Sequence, residues 1–404
     1  MTTPDLHEAA TLPTRRVDPI DPPPELLALQ GEAPLRRLRY PDGHVGWLVT
    51  GYELARSVLS DPRFSAGSEF KRVPVSRPGA DPFIGQPALP GWFVDLDPPE
   101  HTRIRRTLAG RFTPRRIAEL SGLVERVAAD QLDRFLGQAP TRGPADLVTG
   151  FALPVPSRVI SELLGAPYGD AETFQRQSAV LFDLDASASQ TETAMQELTD
   201  YLVTLVRRQR SAPGDALLGV MASTSDLSDI EIAGAGVLLL TAGHETVASM
   251  LGLSVFTLLT RPQLLELTRS GESSWADTVD ELLRYLTIFQ FGVPRSPLEE
   301  VELAGKTLRP GETVTVSLPA ANRDATQFER PGELRPGMRG RSHLAFGFGP
   351  HQCVGQHLAR LELRVGLEAL FCRAPQLSLA AAPADLHFHD DVGFYGVHHL
   401  PVRW

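Results

Sequence analysis

Apolar residues recur every three or four positions along most of this chain, which is the spacing of one face of an α-helix. Clusters of Gly, Pro, Ser and Asp interrupt the pattern and divide it into separate segments. The pattern predicts helices over Glu25–Leu29, Tyr52–Leu59, Glu100–Arg111, Pro114–Leu136, Val155–Leu164, Ala171–Leu184, Thr191–Arg210, Asp229–Leu259, Arg261–Arg269, Trp275–Thr287 and Val354–Cys372.

Strand-like stretches are few and short. The predicted strands are Leu35–Tyr40, Val45–Val49, Val301–Leu303, Thr313–Ser317 and a C-terminal pair near His387–Phe388 and Val397–Val402. No internal repeat or low-complexity linker divides the sequence. We therefore expect a mainly α fold with a small β region, built as a single domain over residues 1–404.

One connection, Pro74–Gly91, is unusually long and contains five prolines. Such a segment cannot form regular structure. Long irregular loops in compact domains often serve as lids or binding loops, and a meandering surface loop is the alternative. The apolar side chains in and just after this stretch favour the lid.

Composition narrows the class of protein. The chain has 404 residues, an apolar fraction of 42 % and a charged fraction of 22 %, as ordinary globular proteins do. Its net charge of −10 argues against nucleic acid as a partner. The N-terminus shows no signal-peptide pattern. The longest apolar run, Ile232–Leu259, is interrupted by His244, Glu245 and Thr246, which favours a helix buried in protein over a membrane span. We therefore expect a cytoplasmic protein without a membrane partner.

The chain contains two cysteines, Cys353 and Cys372, which flank one predicted helix. A helix of that length separates them by about 28 Å, far beyond the reach of a disulfide. We expect Cys372 to be a packed, inert thiol. The helix that follows Cys353 presents the positive end of its dipole to the sulfur, which favours the thiolate. Three roles remain open for this thiolate: a metal ligand, a zinc ligand together with His351 and His357, or a nucleophile.

The stretch around this cysteine, FGFGPHQCVGQHLAR from Phe346 to Arg360, resembles the haem-binding signature of cytochrome P-450 enzymes nearly letter for letter. The resemblance implies the mainly α cytochrome P-450 fold, with haem between the central helix and the Cys loop. It makes Cys353 the axial thiolate ligand of the haem iron. It also places Phe346, Gly347 and Gly355 against the haem, and His351 at a haem propionate.

A second segment, LLLTAGHETVASM from Leu238 to Met250, resembles the central helix of the same family. Ala242 and Gly243 lie four and three residues before Thr246, on one helical face. The resemblance makes the groove at these small residues the oxygen pocket. It makes Thr246 and Glu245 the alcohol–acid pair that delivers protons during dioxygen activation. On its own, the threonine hydroxyl could equally bond only to its helix backbone.

The sequence ELLR, from Glu281 to Arg284, matches the family's ExxR motif, and its i,i+3 spacing suits an ion pair on one helical face. The resemblance implies that this pair is buried and supports the Cys loop. The family adds a third basic partner, but Glu333 stands where that arginine is expected. Arg330 and Arg335 remain open as substitutes.

The segment from Asp97 to Arg116 holds six arginines in an acidic protein. The resemblance assigns His101 and Arg105 to the haem propionates, together with Arg295, and these donors suit anionic carboxylates. The remaining arginines form either a solvated face or a docking patch for an acidic electron donor, which we prefer. They are Arg103, Arg106, Arg111, Arg115 and Arg116.

The resemblance implies a haem-thiolate monooxygenase with haem b and dioxygen, which hydroxylates or epoxidises a hydrophobic substrate in polyketide, macrolide or peptide biosynthesis. Electrons would come from NAD(P)H through a reductase and a ferredoxin or flavodoxin, and the enzyme would be a monomer. The alternatives are a peroxide-driven enzyme, an enzyme of oxidative coupling on a carrier-bound substrate, a haem-free thiolate or zinc protein, and a non-catalytic interaction protein.

Substrate contacts are expected in five mainly apolar stretches, which favours a sizeable hydrophobic substrate. The expected contact residues are Phe83, Ile84, Leu89, Trp92, Phe93, Leu181, Leu239, Ile288, Phe291, Val293 and Phe394.

Overall fold

Helices make up most of the regular structure in a computed structural model, which describes residues 9–137, 143–212, 214–337 and 342–404. The helices are α1 (Pro24–Glu32), α2 (Tyr52–Ser60), α3 (Glu100–Ala109), α4 (Pro114–Glu119), α5 (Ser121–Gly137), α6 (Pro154–Leu164), α7 (Ala171–Phe182), α8 (Ala188–Ser211), α9 (Leu217–Thr224), α10 (Asp229–Thr260), α11 (Pro262–Arg269), α12 (Trp275–Leu286), α13 (Leu318–Ala321) and α14 (Gln356–Arg373).

The predicted helices are confirmed to within about three residues at their ends, with one exception. The prediction of a single helix over Pro114–Leu136 is wrong, because the chain breaks into α4 and α5 at Leu120. The ψ angle of Leu120 is −2°, far from the helical value, and this interrupts the hydrogen-bond ladder for one residue. Helices α9 and α13 were not predicted, since both are too short to show a clear period.

The strands form three small sheets. They are β1 (Leu35–Arg39), β2 (Val45–Val49), β3 (Phe64–Ser65), β4 (Ala145–Asp146), β5 (Val293–Pro297), β6 (Val301–Leu303), β7 (Lys306–Leu308), β8 (Val314–Val316), β9 (Ser378–Leu379) and β10 (Pro401–Arg403). The strand orders are β1-β2-β8-β5-β3, β4-β10-β9 and β6-β7, and among these described strands only β2 and β8 pair in parallel. In the predicted C-terminal pair, Phe388 and Val397 form an isolated bridge, and the regular strand is β10.

Helix α10 forms the centre of the main hydrophobic core. A capping box fixes its start: the Ser228 hydroxyl accepts from the N–H of Glu231, and the Glu231 carboxylate accepts from the N–H of Ser228 at 2.8 Å. By length and composition this helix is the one candidate membrane span among the described residues. However, 78 % of its most apolar 18-residue stretch is buried inside the protein. The prediction of a buried central helix is confirmed.

The long loop Pro74–Gly91 docks back onto α10, and its only helical turn is the short one at Pro78–Ala80. Two glycines make the approach possible. A Cβ atom on Gly234 would lie 1.9 Å from the carbonyl oxygen of Pro90, and Gly91 adopts a φ of +82°. Because neither glycine has a side chain, the loop backbone packs directly against the helix that lines the site.

The ion pair between Glu281 and Arg284 is buried, as the ExxR resemblance implied. Arg284 donates to both carboxylate oxygens of Glu281, at 2.7 and 2.8 Å. Its remaining donors reach the carbonyl oxygens of Asn322, Pro331 and Glu333 at 2.9 to 3.1 Å. The pair therefore binds the irregular segment that precedes the Cys loop.

The third partner of this pair is a backbone group. The N–H of Arg335 donates to Oε1 of Glu281 at 2.7 Å, whereas the Arg335 side chain points toward Glu329. The side chain of Arg330 pairs with Glu333 at 3.1 Å. Among the described residues, no second arginine side chain joins Arg284 at the Glu281 carboxylate.

Asn322 extends the network to the Cys loop. Its amide oxygen accepts from the N–H of Leu344 at 2.7 Å, and its amide nitrogen donates to the hydroxyl of Thr287 at 2.9 Å. Leu344 begins the segment that leads to Cys353. The end of α12 and the start of the Cys loop are thus joined by one buried hydrogen-bond network.

We predict that Arg284→Ala destabilises the protein by about 3–5 kcal/mol, because it leaves the Glu281 carboxylate buried without its partner. The measurement is the midpoint of urea unfolding, followed by circular dichroism. Arg116→Ala is the matched control, since Arg116 and Glu119 have the same i,i+3 spacing and the same 2.7 Å distance but are exposed. We expect little change there. Equal midpoints for Arg284→Ala and wild type would contradict the role of the buried pair.

Candidate functional site

A cavity of about 510 Å³ lies between α10 and the loop that leads into α14. Leu238, Ala242 and Thr246 line it from α10, and Cys353 and Leu358 line it from the other side. Most of its wall is apolar, with a few charged side chains. A cavity of this size and character is typical of cofactor and small-molecule sites.

The Cys loop has the tight backbone that its glycines predict. Gly347 and Gly349 adopt φ angles of +69° and +74°, and the N–H of Cys353 donates to the carbonyl oxygen of Phe346 at 2.9 Å. The N–H groups of Gly355 and Gln356, at the start of α14, act on the Cys353 sulfur in the direction that favours the thiolate. Its accessible surface faces the cavity.

Burial raises the pKa of the Cys353 thiol, and the two N–H donors together with the charges of Arg105 and Arg360 oppose that effect. A thiolate here therefore needs a further positive charge, which a bound metal ion supplies. The zinc alternative has no support, because the described residues contain no group of three or more His, Cys, Asp and Glu side chains that could hold a metal ion.

Cys372 lies on the exposed side of α14, in its last turn. The prediction of a packed thiol is wrong, because its neighbours Leu370 and Phe371 are the residues that face the core.

A cationic cluster forms one wall of the site. Arg105 on α3 donates to the carbonyl oxygen of Gln352 in the Cys loop, and Arg295 on β5 is almost fully buried. Burial lowers the pKa of Arg295 to about 10. The rings of His101 and His351 lie 4.0 Å apart between these two arginines. The structure thus brings together all four residues that the sequence assigned to haem propionates.

Both histidines of this cluster are neutral in the structure. Burial lowers the pKa of His101 to about 4 and that of His351 to about 2, and the positive charges around them act in the same direction. Neither ring nitrogen of His101 has a hydrogen-bond partner among the described residues. A neutral imidazole has one N–H donor, and a buried N–H without a partner beside two arginines is suited to an anion with several oxygen atoms. Haem fits here, since its two propionates are such anions.

Lys71 and Asp95 belong to the same wall but were not predicted. They form a buried ion pair that joins the two ends of the long loop, and both line the cavity. Desolvation lowers the pKa of Lys71 despite the carboxylate beside it. The sequence could have drawn attention to Lys71, because it is one of only two lysines in the chain.

Thr246 lines the cavity with Ala242 and Gly243, so the predicted groove in α10 is present. The Thr246 hydroxyl donates to the carbonyl oxygen of Ala242 at 2.7 Å. This bond alone indicates no function, because Thr241, Thr257 and Thr260 make the same bond to their own i−4 carbonyls. Of the four threonines, Thr246 is the one that lines the cavity.

Glu245 lies beside the cavity lining and is partly buried. Its carboxylate oxygen is 3.3 Å from Nε2 of His244. Nδ1 of His244 must carry a proton, because it lies 2.7 Å from the carbonyl oxygen of Leu240, which can only accept. Glu245 thus precedes Thr246 directly and contacts the ring of His244.

Most of the predicted substrate contacts line the cavity. They are Ile84, Trp92, Phe93, Leu239, Ile288, Phe291, Val293 and Phe394. Three do not. Phe83 packs against the main core, Leu181 is buried in that core, and Leu89 is exposed.

Glu362 is a buried carboxylate that the sequence analysis did not single out. It lines the cavity from α14, Oε2 has no partner among the described residues, and burial raises its pKa well above the ordinary value. The sequence could have indicated a buried carboxylate here, because Glu362 lies four residues after Leu358 and three before Val365, on the apolar face of the helix.

Comparisons with known proteins agree with this site. The family model for cytochrome P-450 matches residues 276–373. Vitamin D3 dihydroxylase of Streptomyces griseolus is 40% identical over 408 residues, which cover 100% of this chain and 99% of the relative. The crystal structure of CYP105P1 in complex with filipin I has a TM-score of 0.92 and 39% identity, covering 98% of this chain and 99% of that one.

A second solved structure is that of the mycinamicin VIII methyl hydroxylase MycCI from Micromonospora griseorubida, bound to mycinamicin VIII. It has a TM-score of 0.89 and 34% identity, and covers 98% of this chain and 100% of that one. The sulfur at the helix start, the cationic wall and the central threonine thus occur in a chain that matches such enzymes over nearly its whole length. This chain belongs to the cytochrome P-450 family and is a haem-dependent monooxygenase.

Proposed function

We propose that the enzyme binds haem b through Cys353 and inserts one oxygen atom into a hydrophobic organic substrate of secondary metabolism. The observation that carries this proposal is the Cys353 sulfur, which faces a largely apolar cavity opposite Thr246. When bound, the haem iron supplies the redox chemistry with dioxygen. One substrate molecule, one dioxygen, two electrons and two protons give the hydroxylated or epoxidised product and water.

The residues that would hold the haem come from both sides of the cavity. Cys353 would be the iron ligand, and the propionates would bind to the cationic wall. Small or aromatic residues that line the cavity would pack against the flat faces of the haem. These are Ala242, Gly243, Phe346, Gly347 and Gly355.

Thr246 and Glu245 would handle the protons. The Thr246 hydroxyl donates to its helix, which leaves its oxygen free to accept a hydrogen bond from a group in the cavity. Glu245 is partly exposed, so it can exchange protons with water. A peroxide-driven enzyme needs no such pair, and its presence supports the monooxygenase.

The substrate would be large and mainly apolar. The lining offers Trp92, Phe93, Phe182, Phe291 and Phe394 as contact surfaces. Solved structures of relatives contain filipin I and mycinamicin VIII, and another relative is named for vitamin D3. These names support a bulky natural product such as a polyketide, a macrolide or a peptide.

The electron donor would be an acidic ferredoxin that docks on α3. Arg105 of this helix contacts the Cys loop, so the exposed side of α3 lies near the sulfur. Arg106 is exposed there. By contrast, Arg103 is tied to Asp226 and Glu231, and Arg115 and Arg116 pair with Glu119. The predicted basic patch is therefore smaller than the sequence suggested.

We predict that Cys353→Ser abolishes the long-wavelength Soret band of the reduced carbon-monoxide complex, because a hydroxyl cannot replace the thiolate ligand. The measurement is the reduced difference spectrum of purified protein. Cys372→Ser, which changes the exposed cysteine, should keep the wild-type band. A wild-type band in Cys353→Ser would refute the ligand assignment.

We predict that Thr246→Ala lowers product formation about a hundredfold while the consumption of reduced nicotinamide continues, since proton delivery is disturbed. Product and peroxide are measured per nicotinamide oxidised. Thr246→Ser should retain most of the coupling. Thr257→Ala removes the same i−4 hydrogen bond away from the cavity and should leave coupling unchanged. Normal coupling in Thr246→Ala would reduce Thr246 to a structural residue.

We predict that Arg106→Glu slows reduction by the ferredoxin about fivefold at low salt, equivalent to about 1 kcal/mol of lost attraction, and that added salt narrows the difference. Stopped-flow reduction of the haem measures the rate. Arg208→Glu makes the same charge change on the exposed side of α8. If both variants slow reduction equally, the donor docks elsewhere.

A further inference from the structure

Arg77 is a charged side chain in the cavity wall that neither the haem site nor the fold accounts for. It lies at the start of the short turn Pro78–Ala80 in the long loop, and it lines the cavity. Its Nε atom is fully buried and has no hydrogen-bond partner among the described residues. The residue as a whole is partly buried, and a positive charge in a largely apolar cavity wall calls for an explanation.

No carboxylate of the described residues lies within ion-pair distance of Arg77. The other cations of the cavity wall are accounted for differently. Lys71 pairs with Asp95, and Arg105 and Arg295 face the place of the propionates. Burial alone lowers the pKa of Arg77, whereas the pKa values of the cationic cluster respond to one another's charges. Arg77 is therefore separate from that cluster.

Arg77 lies where the C-terminal end of α7 meets the cavity. One of its five donors, on Nη2, binds the carbonyl oxygen of Leu181 in the last turn of that helix. The turn behind it is fixed, because a Cβ atom on Gly79 would lie 2.4 Å from the hydroxyl of Thr191 at the start of α8. Capping of α7 explains that single donor but leaves Nε without a partner.

The wall near Arg77 is otherwise apolar and aromatic. Phe182 follows Leu181 directly, and its ring lies 4.8 Å from that of Phe394, which also lines the cavity. The Cys353 sulfur lies at the start of α14, so other elements form that part of the wall. A molecule that fills this space has one fixed positive charge on the α7 side and mainly apolar contacts elsewhere.

We propose that Arg77 binds a carboxylate of the substrate, so that the substrate is a hydrophobic organic acid oxidised at a carbon remote from its carboxylate. A carboxylate has the geometry to accept from both terminal nitrogens of one guanidinium together, and Nη1 of Arg77 has no hydrogen-bond partner among the described residues. This inference rests on the proposed function of the cavity as the substrate site, and it adds the chemical class of the substrate.

The test measures the binding of matched acid and ester pairs to the holoenzyme. The probes are dodecanoic acid, abietic acid and biphenylcarboxylic acid, each with its methyl ester. Dissociation constants come from the ligand-induced Soret shift and from calorimetry. We expect wild type to bind each acid that enters the cavity about tenfold or more tightly than its ester, because a charge-assisted hydrogen bond is lost in the ester.

Variants of Arg77 identify the group responsible. Arg77→Gln keeps a donor for Leu181 but removes the charge, and it should abolish the preference for acids. Arg77→Lys should keep part of it. Because the acid-to-ester ratio is taken within each variant, a general change in folding cancels. Arg269→Gln is the control, since Arg269 also donates to a carbonyl oxygen, that of Pro375 at 2.9 Å, on the surface. It should behave as wild type.

Three results would overturn the proposal: no preference for acids in wild type, a preference that survives in Arg77→Gln, or an equal loss of acid and ester binding in that variant. Each is distinct from failure of the proposed function. That failure would appear as the absence of the thiolate-type Soret band in wild type, while calorimetry would still report the acid-to-ester ratio.

Discussion

The buried ion pair of Glu281 and Arg284 is the constraint on which the geometry of the site depends. A guanidinium and a carboxylate so far from water must satisfy all their donors and acceptors, and here they do so through carbonyl and N–H groups of the segment before the Cys loop. The irregular chain has no ladder of its own, so these bonds set its path. The position of Cys353 follows from them.

From that position, charge divides the cavity wall into two regions. Near the Cys loop, two arginines and the unpartnered ring of His101 suit anionic partners, which the haem propionates would provide. On the α7 side, the wall is apolar apart from Arg77. The tendency of a charge in an apolar wall to acquire a partner thus supports the proposed cofactor binding in one region and the proposed substrate group in the other.

Helix α10 connects these two regions. Its small residues at positions 242 and 243 open a groove without breaking the helix, and the hydroxyl of Thr246 faces the cavity from the same surface. The long loop crosses this helix at Gly234, where backbone meets backbone. The expected substrate contacts in the loop and the groups proposed to handle protons on the helix are therefore held by one packed interface.

The sequence by itself determined most of the helices and the family, and it indicated the residues that the structure brings together around Cys353, because periodicity and motif spacing are local properties of the chain. Only the tertiary structure decided that the backbone of Arg335 completes the Glu281 pair, that Phe83, Leu89 and Leu181 lie outside the cavity wall, and that Cys372 is exposed. It also decided which arginines have partners. Ion pairing depends on residues distant in the chain. That Arg77 lies beside α7 without a carboxylate partner among the described residues is therefore evident only in the folded structure.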